Sequence, residues 1–489
     1  MSHLFLFLII YIGLFTNVTC QSIRDVPKIN DAYRNILKLK LSIGREQLDV
    51  LTPLEKESCH FHYVQNIADV LELLITQDEQ LYDKIDKHED QNLKGLKFTD
   101  DSNPYKLFYE SEIRLQWALV KTLFGEDISA GMAIRSANNA MEKNKKRFPD
   151  FSPNNKTLGM LKILFSTLPE NYTWLFNIMG MKGDIHLGVS KLESIQSSSP
   201  YYLEAQLIKI LAFINILNKE KEALNILDEL LKTNVDNLLL NYIQASALIK
   251  YGHSELALNK LSKLQYHSTD YLFLPMINYR LGEIHLQKQD FRVARNYFAL
   301  FLNNYNGKDF IKAAWFKIFL SYWLSNDENM AKVHFKKAKE SGRSFADPDK
   351  NARGLLNEDY YPNRRLMKLR LATDGGYFNN AKGISNLITE ADFESKKEKT
   401  EYFYRIGRLN HKSGELDEAV FYYLNTIKKS GNEKWYFAPN ACLQTGYIYT
   451  EKNDLEKAEF YFKKALNYKK HKYKESIDRK AKAALSVLN

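Results

Sequence analysis

The sequence predicts an all-α protein in which helix hairpins stack into a solenoid behind an N-terminal helical region. Three observations lead to this prediction. The 21 glycines and 11 prolines make up about 6.5% of the 489 residues, where average usage is roughly 12%, so the chain has few tight turns. Apolar residues recur at steps of three and four, as they do on buried helix faces. The second half also contains segments that repeat one another.

The overall composition excludes two broad classes of protein. Hydrophobic residues are 45% of the chain and charged residues 26%, which is ordinary for a globular protein. Wholesale disorder and a polytopic membrane protein are therefore disfavoured. Lysine and arginine number 69 and aspartate and glutamate 59, so the formal net charge is +10.

Residues 1–20 are predicted to be a signal peptide. Residues 4–15 form an apolar run, and no Asp, Glu, Lys or Arg occurs before Arg24. The run is too short to span a bilayer and has the length of a signal-peptide core. Cleavage after Cys20 would leave a chain that starts at Gln21, so we expect a protein that is periplasmic, secreted or associated with a cell envelope. An uncleaved anchor and lipidation of Cys20 are the alternatives, although residues 17–19 match a bacterial lipobox poorly.

Three segments of the second half share one pattern of residues. They begin at Gly282, Gly407 and Gly446, and each carries an acidic residue eight positions later, an alanine at twelve and an aromatic pair at fifteen and sixteen. Glycine and alanine let two helices approach closely, and an acidic residue at the start of a helix favours the positive end of its dipole. We expect the aromatic residues to fill the groove between neighbouring repeats. The acidic residues are Asp290, Glu415 and Asp454, and the alanines are Ala294, Ala419 and Ala458.

This pattern resembles the tetratricopeptide repeat, a helix-turn-helix unit of about 34 residues. The resemblance implies a right-handed superhelix with a concave groove lined by the first helix of each repeat. Weaker copies keep the twelve-residue spacing to an alanine, and they bring the expected number to about six or seven repeats from residue 200 onward. These copies run from Leu211 to Ala223, Ala245 to Ala257, Phe319 to Ala331 and Leu369 to Ala381.

Polar and turn-forming segments divide the chain. The serine-rich segment before Pro200 predicts a boundary between an N-terminal helical region, residues 21–195 with degenerate hairpins, and an array of repeats at 200–340. Residues 341–365 contain two prolines, two glycines and many charges, which predicts a long connecting loop. Residues 366–489 are expected to form the last repeats and a basic capping helix.

Part of the N-terminal region shows a second resemblance. Residues 158–169 form a leucine-rich stretch that ends in Leu-Pro, and residues 180–188 place Gly183 and Asp184 before the next helical stretch. This arrangement is similar to a segment of the eukaryotic tetratricopeptide family associated with the mitochondrial outer membrane and inclusion-body clearance. The predicted signal peptide departs from that family.

No sequence motif points to catalysis or to a cofactor. Phosphate-binding glycine loops, the hydrolase elbow, the zincin motif and the EF-hand loop are all absent. Cys59, His60 and His62 could each bind a metal, but a structural zinc site needs four ligands and no second pair lies nearby. We therefore predict no metal site, no cofactor and no enzyme activity.

The C-terminal segment Lys463–Lys482 carries most of the excess positive charge. It holds nine basic residues against Glu475 and Asp478. A polar capping helix, which a solenoid needs at its end, accounts for this charge. An anionic membrane surface is the alternative partner, and no nucleic acid is expected because few aromatic residues are interleaved with the basic ones.

These observations predict an exported, non-catalytic scaffold that binds a protein or peptide in its concave groove. A membrane-attached envelope assembly or carrier factor is the alternative, and a helical enzyme is a third class. The groove should be lined by residues that flank the repeat glycines on the first helices. These residues are Arg280, Glu283, Arg405, Arg408, Gln444 and Tyr447.

Overall fold

The computed structural model describes residues 22–167, 182–265, 269–358 and 361–488. Within these ranges the regular structure is entirely helical, and no strand occurs. The predicted signal peptide, with Cys20 of the lipidation alternative, and the Leu-Pro and Gly180 positions of the second resemblance lie outside the described residues.

The N-terminal region contains ten described helices. Two of them, α7 and α8, form the longest hairpin, and α9 packs against α10. The helices are α1 (Pro27–Leu37), α2 (Leu41–Asp49), α3 (Pro53–Lys56), α4 (Cys59–Thr76), α5 (Glu79–Ile85), α6 (His88–Gly95), α7 (Pro104–Phe124), α8 (Asp127–Arg147), α9 (Asn154–Thr167) and α10 (Ile185–Glu193).

Seven helix pairs follow among the described residues, in agreement with the six or seven repeats that the sequence predicts. They are α11 (Tyr202–Ala212) with α12 (Glu220–Thr233), α13 (Leu238–Tyr251) with α14 (Ser254–Leu264), α15 (Met276–Lys288) with α16 (Phe291–Asn304), α17 (Ile311–Leu324) with α18 (Glu328–Glu340), α20 (Arg364–Gly375) with α21 (Phe378–Ser385), α22 (Lys396–Lys412) with α23 (Leu416–Ser430), and α24 (Phe437–Glu451) with α25 (Leu455–Asn467). Two single helices, α19 (Asp347–Leu356) and α26 (Lys474–Leu488), and a π-helical turn at Phe213–Leu217 also lie among the described residues of this part.

The small residues of the repeat pattern lie at the contacts between paired helices. A Cβ atom on Gly446 would lie 2.5 Å from the ring of Phe462, and one on Gly282 or Gly407 would lie 2.8 Å from the ring at the same position of its own repeat. The alanines of the three clear copies and of the four weaker copies are all fully buried: Ala223, Ala257, Ala294, Ala331, Ala381, Ala419 and Ala458. The weaker copies are therefore repeats in the same register.

The aromatic pair packs within its own hairpin as well as between repeats. The second aromatic residue packs on the glycine of its own hairpin, and in two copies it shares a hydrophobic cluster with buried residues on the first helix of the next repeat. The first stacks on the first helix of the same repeat in two copies, Tyr297 on His285 and Tyr461 on Tyr449. The glycine leaves a gap the width of a ring, so the aromatic residue fills the nearest space available.

The acidic residues precede the second helices, but only one of them caps its helix through its side chain. Asp454 accepts a hydrogen bond from the backbone N–H of Lys457, whereas Asp290 and Glu415 make no such bond to α16 or α23. Asp290 lies 3.3 Å from the imidazole Nδ1 of His285 instead.

The segment predicted as a continuous loop, residues 341–365, contains helix α19. Pro348 occupies the first turn of this helix, where its missing N–H costs nothing, so the proline marks a helix start and not a loop. The Asp349 carboxylate accepts hydrogen bonds from the backbone N–H groups of Phe310 (2.6 Å) and Ala313 (2.8 Å) at the start of α17. Helix α19 is thereby attached to the repeat that precedes it.

The N-terminal region shares its core with the first repeat. Tyr201, which follows the serine-rich segment, is fully buried in the N-terminal hydrophobic cluster. Glu204 on α11 forms an ion pair with Lys156 on α9, with 2.7 Å between Glu204 Oε2 and Lys156 Nζ. Leu39 also packs among residues of α13 to α15. The serine-rich segment is thus a turn within a continuous packed structure.

Candidate binding cavity

The superhelix closes on itself between repeats that are distant in sequence. Gly252 ends α13 and Gly376 ends α20, both in the left-handed region with φ of +90° and +81°. A Cβ atom on Gly376 would lie 1.7 Å from the Gly252 carbonyl oxygen, so only glycine permits this approach. Lys412 on α22 also donates to the carbonyl oxygen of Tyr251 at 3.3 Å. The C-terminal helix α26 contacts the π-helical turn at Phe213–Leu217.

The first helices of these repeats enclose a cavity of about 540 Å³. This volume is typical of sites that hold a small molecule or a short segment of chain. Its lining combines apolar side chains with charged and amide groups. The lining residues are Leu211, Ile214, Asn215, Tyr242, Ile243, Ser246, Ala247, Ile249, Lys250, Arg280, Glu283, Gln287, Asp374, Arg408 and Lys412.

The two carboxylates of the cavity already have cationic partners. Glu283 pairs with Arg280 at 2.6 Å and also with Lys317. Asp374 lies 3.5 Å from Arg370 and 3.9 Å from Arg408. Burial would raise the pKa of Asp374, but Arg370, Arg408 and Lys412 outweigh it and hold this pKa below its ordinary value. Both carboxylates therefore stay ionised, and each is shared between two or more cations.

Two lysines of the cavity have no carboxylate partner among the described residues. Lys250 donates hydrogen bonds to the carbonyl oxygen of Ile214 (2.6 Å) and to the amide oxygen of Asn215 (3.0 Å). Lys412 donates to the carbonyl oxygen of Tyr251. Burial, together with nearby cations, lowers the pKa of each ammonium group to about 8. The cavity thus holds cations that would gain from a bound anion.

Helix α26 adds two more cations at the same place. Arg479 and Lys480 lie close enough to Lys250 to lower its pKa. Burial, and then Arg479 and Arg408, lower the pKa of Lys480 in turn. The positive charge at this end of the cavity comes from repeats at opposite ends of the superhelix.

The structure brings three of the six predicted groove residues into the cavity. Arg280, Glu283 and Arg408 line it, and Gln444 accepts a hydrogen bond from Arg408 at 3.0 Å. Arg405 is only 6% exposed, and its guanidinium group is held by Glu401 and by the hydroxyl of Tyr436. Tyr447 packs against the ring of Phe462, 5.3 Å between centroids. Arg405 and Tyr447 therefore support the repeat contacts and do not line the cavity.

Six of the twelve cavity residues that the sequence analysis missed follow a register along the first helices. In each clear repeat, the two predicted groove residues stand two positions before the repeat glycine and one position after it. The position five after lies on the same helix face, and it supplies Lys250, Gln287, Asp374 and Lys412. Applying these three positions to the weaker copies would have found Lys250, Asp374 and also Ser246.

The basic C-terminal segment Lys463–Lys482 is divided in the structure. Lys463 pairs with Glu459, Lys472 with Glu358 and Lys474 with Asp478. Arg479 and Lys480 instead lie near the cavity cations. The charge of this segment is therefore shared between local ion pairs and the cavity.

Within the described ranges no helix is both long and apolar enough to span a membrane. The same ranges contain no group of three or more His, Cys, Asp and Glu residues placed to hold a metal ion. The side chains that do converge are cations around a polar cavity, which suits the binding of an anion.

Comparison with known proteins adds a family to this geometry. Residues 439–472 match the tetratricopeptide repeat. No curated protein matches the chain in sequence. The solved structures that resemble it include the human IFIT1 dimer with m7Gppp-AAAA, at 12% identity over 90% of this chain and 94% of that chain with a TM-score of 0.32.

Two further solved structures are similar over most of their length. The APC/C hetero-tetramer Cut9-Hcn1 is 16% identical over 94% of this chain and 95% of that chain, with a TM-score of 0.28. Yeast Tom70 is 12% identical over 86% and 96%, with a TM-score of 0.24. The family match falls on α24 and α25, the third of three helix pairs with the same columns of glycine, alanine and aromatic residues. The chain therefore contains a tetratricopeptide repeat at residues 439–472, within an all-helical array whose other clear copies share its columns.

Proposed function

We propose that this protein is an exported, non-catalytic scaffold that binds an acidic segment of a protein partner in the cavity of its superhelix. The observation that carries the proposal is the set of cations without carboxylate partners, Lys250 and Lys412 with Arg479 and Lys480 beside them. The two carboxylates of the cavity are already paired. A ligand therefore has to supply the compensating negative charge.

The family supports a protein partner. Solenoids of this kind present extended concave surfaces to their partners, and their curvature follows from the stacking of the repeats. The apolar lining residues Leu211, Ile214 and Ile249 offer contacts for the uncharged part of a bound segment. The charged lining residues would fix its orientation.

The test measures binding of short peptides to the full mature chain by fluorescence anisotropy. An Asp- and Glu-rich peptide should bind more tightly than a neutral peptide of equal length, and affinity should fall with salt. The double variant Arg408→Gln, Lys412→Gln should weaken binding at least about tenfold, because it removes two charges that face the ligand. Lys428→Gln on the exposed face of α23 is the matched control and should change nothing.

Helix content by circular dichroism must stay equal in all three proteins for the comparison to hold. Equal affinity for acidic and neutral peptides would refute the proposal. Binding of a single-stranded oligonucleotide in the absence of peptide binding would also refute it, because it would assign the cavity to nucleic acid.

Export is the second part of the proposal and rests on the apolar run at residues 4–15. Fusing residues 1–24 to a reporter that is active only outside the cytoplasm should give signal, and replacing two leucines of the run by arginine should abolish it. Recovery of the full-length protein in the membrane fraction, resistant to salt and carbonate washing, would favour the membrane-attached alternative.

A further inference from the structure

Helix α26 gathers like charges at one end of the cavity. Its residues Arg479 and Lys480 lie near Lys250, which belongs to α13, and Lys480 also lies near Arg408. The only acidic residue in the same turn of α26, Asp478, is paired with Lys474. Like charges at such distances repel, and in a partly enclosed site water screens them poorly. Docking of α26 therefore has an electrostatic cost that a bound anion would remove.

Hydrogen-bond donors at this end of the cavity are also unused. The Nε atoms of Arg280 and Arg479 and the hydroxyl oxygen of Ser246 are buried without a hydrogen-bond partner among the described residues. Arg280 and Ser246 both line the cavity. Buried polar groups without partners are uncommon in folded proteins, and a cluster of them beside unpaired cations indicates a site for a ligand that accepts hydrogen bonds.

We propose that this end of the cavity binds a phosphoryl group, which bridges Lys250 and Ser246 of α13 to Arg479 and Lys480 of α26. The inference rests on the proposed function, since it specifies the anion that the cavity takes. A phosphoryl group carries about 1.5 to 2 negative charges on three acceptor oxygens, whereas a carboxylate carries one charge on two. The cavity volume of about 540 Å³ accommodates a phosphoryl group, whose higher charge and additional acceptor oxygen match these cations and donors better.

Binding of the phosphoryl group should also hold α26 in place. This helix is the last of the described chain and contacts the π-helical turn at Phe213–Leu217, across the superhelix from the repeat that precedes it. An anion between α13 and α26 converts repulsion at this contact into attraction. Ligand binding is thereby coupled to closure of the superhelix.

The experiment uses inorganic pyrophosphate and measures its binding to the full mature chain by isothermal titration calorimetry. Lys250→Gln and Lys480→Gln should each weaken binding by about tenfold or more, because each removes a cation that contacts the ligand. Lys482→Gln, at an exposed position of the same helix, is the matched control and should leave affinity unchanged. Arg479→Gln provides an independent variant if either lysine variant fails to fold. Amide exchange over residues 474–488 should slow when pyrophosphate is bound.

A second arm distinguishes the two sources of the phosphoryl group. A phosphoserine peptide is compared with the same peptide carrying glutamate at that position. Binding of pyrophosphate alone supports a free phosphorylated small molecule, and tighter binding of the phosphopeptide supports a phosphorylated partner. If the glutamate peptide binds as tightly as the phosphopeptide and pyrophosphate does not bind, the phosphoryl inference is overturned while the proposed function stands. If no anion binds, both are overturned.

Discussion

At the scale of single residues, each of the three clear hairpins contains a glycine on which an aromatic ring packs. Gly446 lies on α24 and Phe462 sixteen positions later on α25, and Phe462 is fully buried. The alanine between them allows the same close approach. A glycine–aromatic pair explains why this spacing persists in copies whose other positions vary, because the ring fills the volume that the absent side chain leaves.

Replacing this glycine tests the packing directly. Gly446→Ala places a Cβ atom 2.5 Å from the buried ring of Phe462, which has no room to move. We expect destabilisation of about 1–3 kcal/mol from overpacking, partly offset by the better helix propensity of alanine. Urea unfolding gives the free energy. Gly131→Ala is the matched control, since nothing lies within 4 Å of its Cβ position inside α8, and it should be neutral or stabilising by up to about 1 kcal/mol. Equal effects at both positions would contradict the packing argument.

The candidate site could be predicted only in part, for reasons that individual residues make clear. Arg280 and Arg408 follow from the repeat register, because that register fixes which side of the first helix faces inward. Arg405 stands in the same column as Arg280, yet Glu401, one helical turn earlier, and Tyr436 hold its guanidinium group. Arg479 and Lys480 come near the cavity residue Lys250 because α26 contacts the π-helical turn at Phe213–Leu217, and the repeat pattern does not predict a contact between residues so distant in sequence.

At the scale of elements, helix α19 shows how a segment between repeats becomes part of the stack. The pairs before and after it were predictable, because the alanine column fixes their register even in weak copies. The charged residues of 341–365 concealed a helix, because its stability comes from contacts with α17 and α18 and not from an internal apolar pattern. Asp349 makes the central contact, and its carboxylate fixes the backbone of Phe310, which has a φ of +65°.

The Asp349 contact makes stability depend on pH. Burial raises the pKa of Asp349 from 3.8 to about 6, although two backbone N–H groups favour its charged form. The folded-state pKa is above the unfolded-state value, so the folded state favours the protonated Asp349 carboxyl. Its contribution to the free energy of unfolding is fully present below the unfolded-state pKa and is lost as pH rises through about 6. The stability of the wild type relative to Asp349→Asn should therefore fall between about pH 4 and about pH 7. Chemical unfolding at both pH values measures this difference, and Asp347→Asn, at an exposed position of the same helix, should show no such change.

At the scale of the whole molecule, the N-terminal region and the repeats form one packed body. Lys156 on α9 is 1% exposed and pairs at 2.7 Å with Glu112 of α7 and with Glu204 of α11, the first helix of the array. Tyr33 and Tyr63 donate hydrogen bonds to the same Glu204 carboxylate. Sequence periodicity cannot predict this contact, because Glu112 and Glu204 lie 44 and 48 positions from Lys156 in the sequence.

Removing Lys156 should destabilise the contact between the N-terminal region and the repeats more than removing an exposed ion pair would. Lys156→Met leaves Glu112 and Glu204 buried without their cation, and breaking a buried pair in this way costs about 3–5 kcal/mol. We expect a matching fall in the free energy of unfolding, with Lys145→Met on the exposed face of α8 as the unaffected control. Adding Glu112→Gln and Glu204→Gln to Lys156→Met should restore most of the loss, because the uncompensated charges are then gone. If the triple variant is no more stable than the single one, the lysine acts through packing of its hydrocarbon chain and not through charge.

Probes placed separately in the N-terminal region and in the last repeats test whether the two parts unfold together. We expect one shared unfolding transition in the wild type, and the probes would show whether it splits into two in Lys156→Met.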